Sequence, residues 1–219
     1  MERAMKKIVL IGDSIRMGYD KYVKDALEGS CEVYYPTENC RFAEYVLRYL
    51  NDWKKNGEWP NDIDLVHWNA GLWDVVDMDK EGPLTSIDYY GEAIARITRR
   101  IHRVFPGAKV VFATSTAVIE EGYTNPNFRR LNSDIERFND RAIKALEGSG
   151  TVINDLYAIT RNIPKECCSD MTHFNTPEGR AMLGNKVLSV ICNELDIELP
   201  DVAKKTFVPE NYTEENIGR

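Results

Sequence analysis

Short apolar runs alternate with stretches of helical periodicity along almost the whole chain, and this alternation restricts the fold more than any other feature. The runs 7–11, 31–35, 63–68, 109–114 and 151–156 are each about the length of one strand, and most are apolar nearly throughout. Between them, apolar residues recur every three or four positions. Examples are Ile15, Tyr19, Val23 and Leu27, then Ala43, Val46, Leu47 and Leu50, and then Ile87, Tyr90, Ile94, Ile97, Ile101 and Val104. Leu131, Ile135, Phe138, Ala142 and Leu146 mark a further helix, and Thr176-Pro177 supplies an N-cap and first-turn residue for the last one. Strands buried on both faces and joined by helical crossovers form a parallel sheet, and right-handed crossovers cover both of its sides. The expected class is α/β, a flavodoxin-like three-layer α/β/α sandwich around a five-stranded parallel sheet.

A chain of 219 residues can close around one such sheet, so residues 1–200 read as a single domain and 201–219 as a polar C-terminal tail. The net charge of -7 works against nucleic acid or an anionic membrane as partner, because either polyanion meets an average surface of its own sign. A small-molecule or glycan substrate of little charge is the expected partner, and nothing in the sequence sets an oligomeric state. The first apolar run, Ile8 to Ile11, is too short for a leader core or a membrane span, which gives a cytoplasmic expectation. Five cysteines without framework spacing suggest reduced thiols, and adjacent Cys167 and Cys168 lack the partners of a zinc site.

In an open parallel sheet, ligands bind beyond the carboxyl ends of the strands, so polar residues there carry the most functional weight. Gly12-Asp13-Ser14 lies where the first strand turns into the first helix. A hydroxyl at that place is exposed among unpaired backbone N–H groups, although Asp13 or Ser14 could equally be a plain N-cap. Of the three histidines, His67 lies inside a strand and His102 on a long amphipathic helix, while His173 lies in a loop just before the last helix. Asp170 stands three residues before it. Ester cleavage needs a nucleophile, a base for its proton and a carboxylate that fixes the base's tautomer, and Ser14, His173 and Asp170 are of those three types.

Ile11-Gly12-Asp13-Ser14 resembles the first conserved block of the SGNH/GDSL hydrolases, and Asp170-Met171-Thr172-His173 resembles their last, Asp-x-x-His. The resemblance implies a flavodoxin-like fold, Ser14 as nucleophile, His173 as general base and then acid, Asp170 as its orienting partner, and neither metal nor organic cofactor. The family's third block is usually Gly-x-Asn-Asp, its Asn donating to the oxyanion. Here residues 68–74 read Trp-Asn-Ala-Gly-Leu-Trp-Asp, and anchoring on Gly71 and Asp74 puts Trp73 at the Asn position. A divergent branch carries Asn-x-Gly-Leu, which this segment is similar to, and that makes Asn69 the oxyanion donor. The plainer reading of Asn69 is a strand-end residue capping its own turn.

The second block normally supplies a glycine N–H, but residues 36–41 contain no glycine, so a backbone N–H near Cys40 or the Asn39 side chain is expected to complete the oxyanion hole with the Ser14 N–H. Trp68 and Trp73, with Tyr123 in the loop after the fourth strand, are expected to line a substrate face. The resemblance implies a serine esterase acting on short, acetyl-like acyl esters, with a carbohydrate alcohol as one option. The competing readings are a flavodoxin-like module holding a phosphate or flavin at the first turn, and a glycan-binding relative without activity.

Overall fold

The computed structural model describes residues 5–125 and 127–204. Five parallel strands form the central sheet in the order β2-β1-β3-β5-β7, where β1 is Lys6–Ile11, β2 Cys31–Tyr34, β3 Leu65–Trp68, β5 Lys109–Ala113 and β7 Val152–Asn154. Helix α1 (Ser14–Ala26) packs against α6 (Pro177–Leu195), while α2 (Ala43–Asn56), α3 (Ile87–Val104) and α4 (Asn132–Leu146) pack in series. This is the α/β sandwich expected from the alternation. The apolar faces read from the sequence all turn inward, so that Ile94, Ile97 and Ile101 of α3 are fully buried, as are Ile8 to Ile11 of β1.

Several short elements escape the sequence reading because they are too short to show a period. A two-stranded antiparallel pair joins β4 (Asp77–Met78) to β6 (Phe128–Arg129), and α5 (Leu156–Thr160) follows β7 at once. The run expected as a strand through residue 156 therefore ends at Asn154, where Asp155 caps α5 by accepting the Ala158 N–H at 3.0 Å. Of the expected polar tail, residues 201–204 form a helical turn, α7 (Asp201–Lys204), and residues 205–219 lie outside the described residues. No helix among the described residues is long and apolar enough to cross a membrane. All five cysteines are free thiols.

The sheet order places the topological switch between β1 and β3, where successive connections leave in opposite directions. The parallel register pairs Ile11 with Trp68 at the carboxyl ends of these strands. Gly12 and Asn69, the next residue on each, consequently lie side by side, and the Asn69 N–H donates to the Ile11 carbonyl at 3.0 Å. Glycine is required at residue 12 for space, since a Cβ there would stand 1.9 Å from Asn69 Oδ1.

Two buried titratable groups in this region make stability depend on pH in opposite directions. The Asp74 carboxylate accepts the Ala43 N–H at 3.1 and 3.3 Å, yet its burial raises the pKa from the ordinary 3.8 to about 7. Between these values the folded protein holds a proton that the unfolded chain has released, so this group's contribution to stability falls as pH rises from 3.8 and levels off above about 7. His67, fully buried in β3, has its pKa lowered from 6.5 to about 3 by desolvation, so its contribution falls as pH drops through 6.5 instead. Asp74→Asn keeps an acceptor for Ala43 and removes only the first effect. The advantage of the variant over wild type in urea unfolding is expected to grow by about 2–3 kcal/mol between pH 5 and pH 8. A pH-independent difference would show that Asp74 is ionised in the folded protein throughout that range.

Candidate active site

The turn after β1 is built by Asp13, the N-cap of α1, whose Oδ1 accepts the Ile15 N–H at 3.0 Å. Because Asp13 takes the capping role, Ser14 is left as the first helical residue, with its N–H among the helix's unpaired first-turn donors. Asp13 is fully buried, which pushes its carboxyl pKa up against the opposing pull of the Asn69 amide, the Ile15 N–H and the charges of Arg130 and Arg16. The Asn69 Nδ2 donates to Asp13 Oδ1 at 3.1 Å.

The loop before α6 brings in the other two polar groups. Asp170 Oδ1 accepts the backbone N–H groups of Thr172 at 2.7 Å and His173 at 2.8 Å, which folds the four-residue segment around its own carboxylate. The same carboxylate meets His173 Nδ1 at 2.8 Å through Oδ2 and at 3.0 Å through Oδ1. Partial burial alone would raise the Asp170 pKa. The two N–H donors and the imidazole outweigh it and hold the carboxyl below its ordinary value. Across the site, His173 Nε2 stands 2.8 Å from Ser14 Oγ. Ser14, His173 and Asp170, separated by up to 159 positions, thus form one continuous chain of hydrogen bonds.

No family model matches the sequence, and no curated protein matches it. Solved structures do. A lipase/acylhydrolase from Enterococcus faecalis superposes with a TM-score of 0.69 at 20% identity, over 90% of this chain and 100% of that one. An acetyl xylan esterase gives 0.65 at 18% identity over 84% and 99%. A GDSL-like lipase from Bacteroides thetaiotaomicron gives 0.65 at 16% identity over 86% and 88%. The chain has the SGNH/GDSL hydrolase fold.

Within this SGNH fold the expected oxyanion and substrate residues divide. Asn69 is buried beside the Ser14 turn, where its amide donates to Asp13 Oδ1. Cys40 is a correction, for its N–H donates to the Gly12 carbonyl at 3.1 Å and so is not available to a substrate oxygen. The carboxamide oxygen of Asn39 accepts the Arg41 N–H at 2.8 Å, closing a local turn. That bond supports Arg41 at φ 51°, a left-handed conformation that glycine adopts more readily than arginine.

Trp68 is a second correction. It is fully buried against Phe112, with ring centroids 4.8 Å apart, because β3 is a central strand covered on both faces and the exposed rim begins only beyond it. Trp73 lines a cleft of about 300 Å³ that also contains Ser14 and His173. Tyr123 lines it too and hydrogen-bonds Thr172 Oγ1 at 2.7 Å. Phe128 and Arg130 line it as well, and the sequence reading missed both. Their only local signal is an aromatic and a cation two residues apart, and in the folded chain the Arg130 guanidinium lies 5.3 Å from the centre of the Phe128 ring.

Proposed function

We propose that this chain is a serine esterase in which Ser14, His173 and Asp170 act as a catalytic triad through an acyl-enzyme. The observation that carries the reading is the hydrogen-bonded series Ser14 Oγ, His173 Nε2, His173 Nδ1 and Asp170, with links of 2.8 Å at each end. A carboxylate on Nδ1 fixes the proton there and leaves the Nε2 lone pair facing the hydroxyl. Ser14 Oγ then bonds to the acyl carbon as its proton passes to Nε2. Collapse of the tetrahedral intermediate breaks the carbon–oxygen ester bond, and the departing alcohol takes the proton from Nε2. Water repeats the sequence in reverse roles to release the acid and regenerate Ser14. The Ser14 N–H and the Asn69 amide are the donors assigned to the oxyanion.

For the substrate we propose a short acyl ester, with acetyl on a carbohydrate as the leading case. Structural neighbours described as an acetyl xylan esterase and as a lipase/acylhydrolase support the class. The indole of Trp73 at the cleft supplies a flat apolar face of the kind that sugar rings pack against. We propose a cytoplasmic location, a reading with which five free thiols are compatible. The direct test is a fluorophosphonate probe, which should label wild type at Ser14 as located by peptide mapping. A folded protein that remains unlabelled would turn the reading toward a non-catalytic binding module.

Asn69→Ala separates a catalytic amide from a structural one. Loss of a donor that strengthens only as the oxyanion forms should lower kcat by about 10²–10³ and leave KM nearly unchanged. A kcat within about threefold of wild type would reduce Asn69 to a partner of Asp13 and leave the oxyanion to backbone N–H groups.

A further inference from the structure

Arg130 is a buried cation without a carboxylate. It is 5% exposed, its Nε donates to the Leu72 carbonyl, and its Nη1 lies 3.4 Å from the Tyr123 hydroxyl. Both partners are neutral, and they use two of the guanidinium's five donors. No carboxylate among the described residues lies within ion-pairing distance of it, although the buried Asp13 carboxyl feels its charge from farther away. Its neighbour Arg129 provides a control in the same short strand region, since it pairs with Asp77 at 2.8 Å. Beyond Leu72 and Tyr123, the Arg130 guanidinium carbon lies 5.3 Å from the centre of the Phe128 ring, so every partner of this cation is uncharged. A guanidinium stays charged at any ordinary pH, and burying it without a counter-charge is costly, so an interior arginine ordinarily has an anion to meet.

The side chain lines the same 300 Å³ cleft as Ser14, Trp73, Phe128 and His173. The only carboxylate on that wall, Asp170, is engaged by His173 and two backbone N–H groups. Building on the esterase reading above, we propose that the cleft binds an ester whose alcohol portion carries a carboxylate, and that Arg130 selects it. The cleft is far larger than a short acyl group needs, which assigns it to the alcohol side. One cation, facing aromatic and uncharged groups and a single carboxylate already engaged by His173, matches one negative charge better than a phosphate carrying about two. The Nη groups left by Leu72 can donate side by side to both oxygens of a carboxylate.

The tested pair is 4-acetoxybenzoate and its neutral analogue 4-acetoxybenzamide, which present the same acetyl group on phenols of similar shape. Wild type is expected to favour the carboxylate by about tenfold or more in kcat/KM, the scale of one charge-assisted hydrogen bond. Arg130→Gln should bring the ratio close to one, and Arg130→Lys should restore part of it. The ratio is insensitive to how much of a variant folds, because both esters sample the same active molecules. If Arg130 only braced the Leu72 and Tyr123 loops, its replacement would slow both esters alike and keep the wild-type ratio, which would overturn the proposal. Equal rates in wild type would overturn it as well and leave the esterase reading standing, whereas hydrolysis of neither ester, with no probe labelling, would remove the esterase reading itself.

Discussion

Ser14→Ala is expected to lower the hydrolysis of an aryl acetate by about four orders of magnitude or more. Ser14 is the only hydroxyl to which His173 Nε2 hydrogen-bonds among the described residues, so no second nucleophile stands in line with the base. The fold should persist, because Asp13 and not Ser14 caps α1, and the substitution places a strong helix former at a first-turn position. Circular dichroism and the urea midpoint should therefore match wild type while the rate and the probe labelling disappear together. A variant keeping more than a few per cent of the rate would require a water directly activated by His173, or a nucleophile elsewhere.

Asp170→Asn should lower kcat/KM by roughly four orders of magnitude, close to the serine variant. The size follows from how the imidazole is held. Among the described residues, the two Asp170 oxygens are the only hydrogen-bond partners of His173 Nδ1. In the asparagine variant the carboxamide oxygen would remain on the Thr172 and His173 N–H groups, which need an acceptor, and this turns the NH₂ toward Nδ1. An amide donating to Nδ1 puts the imidazole proton on Nε2, the atom facing Ser14 Oγ, which then cannot accept the serine proton. Labelling by the fluorophosphonate should slow in parallel with ester turnover, since both need the same proton transfer. A loss below about thirtyfold would mean that His173 keeps its productive tautomer without Asp170.

The parts legible in the sequence are those that depend on neighbours along the chain. A strand ending in Gly12-Asp13-Ser14 before helical spacing has few conformations open to it, and glycine at residue 12 is the residue that lets the turn pass close to Asn69. Asp170 and His173 are three residues apart, so one loop turn suffices to bring the carboxylate onto both the backbone and the imidazole. The strand and helix periods also determined the sheet and the class of fold, because side-chain spacing along a strand or helix dictates which face is buried.

What tertiary structure decided depends on distance across elements and on exclusion from water. The pairing of Ile11 with Trp68 placed Asn69 against Asp13, a contact that no spacing of 56 positions encodes. The fate of the Cys40 N–H was settled by the Gly12 carbonyl facing it, and Trp68 was taken from the substrate face by the helices covering β3. Arg129 and Arg130 are adjacent and chemically identical in the sequence. Only the folded chain gives one of them a carboxylate and leaves the other in the cleft beside Ser14, because Arg129 ends β6 next to Asp77 of β4 while Arg130 lies just beyond the strand, against Leu72 and Tyr123.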